Sequence, residues 1–99
     1  MEKPVSNMNI EIKVDEHDAV GKFTNFANIT HTPEEFIVDF LFVNPVPPPG
    51  FGKLMARLVM TPGHAKRILG ALSENIRNYE EHFGEIRIAQ FPGGPDSVQ

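Results

Sequence analysis

Hydrophobic and polar positions along this chain alternate with two periods, first of two residues and then of about 3.6. The stretch MNIEIKV places Met8, Ile10, Ile12 and Val14 on one side and Asn9, Glu11 and Lys13 on the other, which predicts a strand with one wet face. DEHDAVG, residues 15–21, is polar and ends in glycine, the composition of a turn or loop. KFTNFANITH then reads as a strand rich in aromatic and β-branched residues, in which Asn25 and Asn28 mark a candidate bulge. Thr32 and Pro33 turn the chain into the next element.

From Phe36 to Val43 the pattern is apolar on both faces. Phe36, Val38, Phe40 and Phe42 share one; Ile37, Asp39, Leu41 and Val43 share the other. NPVPPPGFG cannot pair as a central strand, because its four prolines remove four donors, and it predicts a stiff, partly polyproline-II hairpin tip. KLMARLVM is again two-sided. Leu54, Ala56, Leu58 and Met60 fall on one face, and Lys53, Met55, Arg57 and Val59 on the other.

The period then switches. Thr61 suits an N-cap and Pro62 the first helical position, where its missing donor costs nothing. Ala65, Ile68, Leu69, Leu72, Ile76, Tyr79 and Phe83 lie within about 100° of one another on a helical wheel, and Gly84 stands where a left-handed C-cap belongs. EIRIAQF offers a short final edge strand. The expected fold is α+β, a four-stranded antiparallel sheet followed by one long C-terminal helix, in the order β-β-β-β-α. Residues 1–7 form a flexible N-terminal tail in this reading, 8–90 the single domain, and 91–99 a disordered C-terminal tail.

One helix covers one face of such a sheet, and nothing else in 99 residues is long enough to cover the second. Ile37, Leu41, Val43, Met55 and Val59 would each forgo about 1.5–3 kcal/mol if left in water. The helix, about 33 Å long, also outruns an eight-residue strand of about 26 Å, so that Tyr79 and Phe83 overhang. A homodimer solves both problems, and Asp39 and Arg57 can then meet across paired strands, tolerable as a pair and costly singly.

Composition changes this picture little. No cysteine is present, which excludes disulfides, thiolate metal sites and thiol nucleophiles. The opening MEKPVSNMNI lacks the apolar core of a signal peptide and no run reaches the roughly 18 residues of a membrane span, so a soluble cytoplasmic protein is expected. The net charge of −4 disfavours generic nucleic-acid binding. Its distribution is uneven, however: Lys53, Arg57, Lys66, Arg67 and Arg77 face a single acid, Glu74, between residues 48 and 79.

Candidate chemistry is sparse. His17, His31, His64 and His82 show no metal-ligand spacing, and the last two stand about 27 Å apart along the helix. No metal, cofactor or catalytic residue is expected. Ser6, Ser73 and Ser97 sit in no nucleophile motif, and His31 and Asp39 lie about 26 Å apart on extended chain. The start of the helix, TPGHAKR, is a candidate anion site built from Thr61, His64, Lys66 and Arg67. PVPPPG contains P-x-x-P, better read as a rigid loop than as a module ligand.

Asn25, Thr30-His31, Glu35-Phe36, Asp39-Phe40, Thr61-Pro62, His64-Ala65, Leu69, Leu72, Asn75, Tyr79 and Phe83-Gly84 together resemble a family of small bacterial and archaeal proteins catalogued as a domain of unknown function. The resemblance spans about residues 8–88 and implies no activity. The topology alone is similar to Whirly-type single-stranded-DNA-binding regulators, with the basic block and Phe23, Phe26 and Phe51 as the implied cations and stacking faces. The leading expectation is a non-enzymatic homodimeric interaction or assembly module, ahead of single-stranded nucleic-acid binding and of a small anion site at the helix start.

Overall fold

The computed structural model describes residues 2–5 and 9–89. Elements run β1 (Glu2–Val5), β2 (Ile10–Lys13), α1 (Glu16–Ala19), β3 (Phe26–His31), β4 (Phe36–Asn44), β5 (Phe51–Met60) and α2 (Pro62–Phe83). The chain is thus α+β, but the main antiparallel sheet has three strands, in the order β3-β4-β5. The expected first strand, β2, pairs instead with β1, through Glu2↔Lys13 to Val5↔Ile10. A hairpin partner a few residues away closes a far shorter loop than a crossing to β3, so the local pairing wins. Part of the segment expected as a tail is therefore a strand. Met8, which the alternating pattern included, and the expected C-terminal tail, 91–99, lie outside the described residues.

The three-stranded sheet follows the two-sided pattern closely. Asn28, Asp39 and Arg57 stand in one row, with Thr30–Ile37–Val59 and Phe26–Leu41–Leu54 to either side. The opposite face carries the rows His31–Phe36–Met60, Ile29–Val38–Leu58 and Ala27–Phe40–Ala56. A register shift between Phe40 and Leu41 leaves Met55 as an extra residue on β5. The bulge sits there and not at Asn25 or Asn28, and it moves Leu54 from the Leu58 face to the Arg57 face.

Asn25 ends β3 differently. Its backbone donates to Leu41 O (3.0 Å), while its side-chain amide accepts from Val43 N (2.8 Å) and donates to Val43 O (3.0 Å). The amide imitates one more strand residue and extends the ladder without extending the strand. Across the sheet, Gly50 permits the proline hairpin to close, since a Cβ there would lie 2.9 Å from Pro45 Cα.

Helix α2 has the expected boundaries. Thr61 caps it by accepting from His64 N (3.2 Å), and Pro62 opens it. Gly84 ends it at φ 99° and ψ 169°, a positive φ that favours glycine but not the left-handed helical turn expected of it. Residues 85–89 form no strand.

The largest departure is in packing. An amphipathic helix next to an apolar sheet face was expected to lie on it; α2 instead stands clear of its own sheet, and none of its residues is buried. Val38, 9% exposed, is the one buried apolar residue among those described. The radius of gyration, 16.5 Å, exceeds the roughly 13 Å of a compact chain this long.

Candidate interaction surface

The apolar stripe of α2 follows from its 3.6-residue period, and in the structure it is open to water. Leu69 is 65% exposed, Leu72 57% and Phe83 76%, with Ile68, Ile76 and Tyr79 also exposed. Tyr79 and Phe83 face each other with ring centroids 5.0 Å apart. The polar side of the helix carries Lys66, Arg67, Glu74 and Arg77, of which Arg77 and Glu74 form an ion pair at 3.0 Å.

The sheet supplies two further surfaces of different chemistry. The Val38 face is apolar through its three central rows and leaves Ile29 and Leu58 exposed. At one end Phe23 and Phe51 both lean on Phe42, with centroids 6.1 and 6.5 Å away; at the other His31 stacks on Phe36 at 5.4 Å. Phe26 belongs to the opposite face, in register with Leu41. The three phenylalanines expected as stacking surfaces therefore do not form one platform.

The second face is apolar but split by charge. Ile37, Leu41, Val43 and Val59 surround the Asp39–Arg57 pair, which is bidentate: Arg57 Nε donates to Oδ1 at 2.7 Å and Nη2 to Oδ2 at 2.9 Å. The Asp39 side chain is 14% exposed and that of Arg57 59%. Hydrogen bonding to the guanidinium and its positive charge hold the Asp39 carboxyl below its ordinary range, against the opposing pull of desolvation. The same contact raises Arg57. The cross-strand meeting that the sequence suggested is present within one chain.

The other candidate residues are placed as follows. Thr61 spends its hydroxyl on His64 N and its carbonyl on Ala65 N. With Pro62 lacking a donor, the first turn leaves little free amide to meet an anion beside Lys66 and Arg67. His31 and Asp39 lie on opposite faces of the sheet, so they do not form an acid-base pair. His82 Nδ1 lies 2.9 Å from Asn78 O. Among the described residues no group of histidines and acids could hold a metal ion, and no helix is long and apolar enough to cross a membrane.

A model of a protein family of unknown function, DUF3467, matches residues 1–88. The chain belongs to the DUF3467 family. That membership is what the motif pattern implied, and it brings no activity with it. No curated protein and no solved structure matches this DUF3467 chain, so the Whirly-type likeness has no relative behind it.

Proposed function

We propose that this DUF3467 protein is a cytoplasmic, non-enzymatic interaction module that works as a homodimer. One observation carries the reading: a 22-residue amphipathic helix and an apolar sheet face occur in the same chain and neither covers the other. A lone soluble domain does not leave its main helix stripe in water, because each fully buried Leu or Ile contributes about 1.5–3 kcal/mol. A second copy supplies surfaces of matching size and chemistry. The face around Asp39 and Arg57, with Ile37, Leu41, Val43, Met55 and Val59, is then left for a protein partner.

Sedimentation equilibrium at micromolar concentration tests the reading. A particle of twice the 11.1 kDa chain mass is expected; a folded species of single-chain mass overturns it. Single-stranded nucleic-acid binding is the alternative. Two of the five cations on which it rests, Arg57 and Arg77, are engaged by Asp39 and Glu74. Salt-sensitive anisotropy with a labelled oligonucleotide would bring it back.

A further inference from the structure

We infer that the dimer is an exchanged-helix dimer, in which α2 of each protomer lies on the Val38 face of its partner's sheet. The inference rests on the homodimer reading and adds which surfaces meet. Its first support is the hinge. A single residue, Thr61, separates Met60 at the end of β5 from Pro62 at the start of α2. Connections of a strand to a helix that packs on the same sheet use about 2–6 residues. Thr61 is extended (φ −70°, ψ 155°), its side chain is committed to capping, and Pro62 fixes the next φ. With no further residue between strand and helix, the chain has no loop in which to turn α2 back onto its own sheet. A hinge too short for return favours exchange between identical chains.

The second support is fit. Over its 22 residues α2 is about 33 Å long, and β4 and β5, of nine and ten residues, are about 30 and 33 Å. The helix no longer overhangs, as it did against the shorter strands expected from sequence. A contact about 10 Å wide along that length, made twice and counted on both partners, buries roughly 1,300 Å² in total, inside the roughly 1,200–2,000 Å² of stable interfaces.

The third support selects the face. The stripe from Ala65 to Phe83 contains no charged side chain, and neither do the rows through Phe36, Val38 and Phe40; Lys53 lies in the next row, opposite Phe42, toward the end of the strands. Small residues, Ala27 and Ala56, flank Phe40 and let a helix approach closely. On the opposite face the same stripe would strip water from the Asp39–Arg57 pair and offer it nothing in return.

Because the chain has no cysteine, single-cysteine variants report contacts cleanly. Leu72→Cys is mixed with Leu58→Cys, co-refolded, and treated with a short bismaleimide; Ile29→Cys replaces Leu58→Cys should that variant fail to fold. Val59→Cys, on the opposite face, is the control. The expected result is a covalent heterodimer with Leu58→Cys or Ile29→Cys and at least tenfold less with Val59→Cys. A lengthened hinge, six Gly/Ser residues inserted after Thr61, is expected to shift the protein toward single-chain mass. A dimer by sedimentation that cross-links through Val59→Cys, or through neither face, overturns the exchange while leaving the homodimer standing. Cross-linking within one chain of a Leu58→Cys/Leu72→Cys double variant, in a single-chain particle, overturns both.

Discussion

At position 39 a carboxylate stands between Ile37 and Leu41 on one face of β4 and is made tolerable by one partner. Arg57, directly opposite on β5, grips both oxygens of Asp39 and lowers its pKa from the ordinary 3.8. A depressed carboxyl pKa stabilises the folded state above the unfolded value, and that contribution is lost as pH falls through the folded one. The Asp39→Asn variant is therefore expected to be less stable than the parent at pH 6, with the difference narrowing below about pH 4. Urea midpoints at pH 6 and pH 3 measure it, and an unchanged difference would refute the linkage. Asn25 is the second residue whose role is specific. Asn25→Ala leaves both Val43 backbone groups without their side-chain partner, an expected loss of about 1–2 kcal/mol by denaturant unfolding. The sequence marked Asn25 only as a poor strand former. Its role as a substitute strand residue depends on where Val43 ends up, a distance of 18 positions along the chain that no local pattern encodes.

Among elements, α2 was the most readable. Cap, first-turn proline, stripe and stop all lie within the segment itself, and the structure returns the helix from Pro62 to Phe83. Its stripe makes a sharp prediction. Leu72→Glu is expected to leave helicity intact, since Glu is a good helix former, and to abolish dimerisation, since the charge would be desolvated at the centre of the contact. Far-UV circular dichroism and sedimentation on the same sample separate the two effects; loss of helicity together with dimerisation would mean the stripe supports the fold and not only the contact. The strands β3, β4 and β5 were readable in place but not in register. Nothing local announces the bulge at Met55, because a bulge is a mismatch between two strands and belongs to neither. The expected four-stranded sheet failed for a similar reason. The alternation in MNIEIKV specifies a strand with one dry side, yet leaves open which neighbour it pairs with, and the nearest one, β1, took it.

For the whole molecule the consequence is a chain whose hydrophobic surfaces do not meet one another. Folding of the proposed dimer is bimolecular, so its thermal midpoint is expected to fall on dilution. Each tenfold dilution removes about 1.4 kcal/mol of apparent stability, or roughly 3–6 °C for a particle of about 200 residues. A midpoint independent of concentration from about 1 to 100 μM would contradict this. Sequence alone determined the helix, the two strands with apolar residues on both faces, the proline hairpin and the excess of apolar surface over what one small chain can hide. These are short-range properties, written in the spacing of side chains along a few consecutive turns or pleats. The pairing of β1 with β2, the face to which Leu54 belongs, the substitute role of Asn25 and the separation of α2 from its own sheet emerged only in three dimensions. Each depends on which distant segments compete for the same partner and on how far a one-residue hinge can bend, and neither quantity is carried by a local pattern.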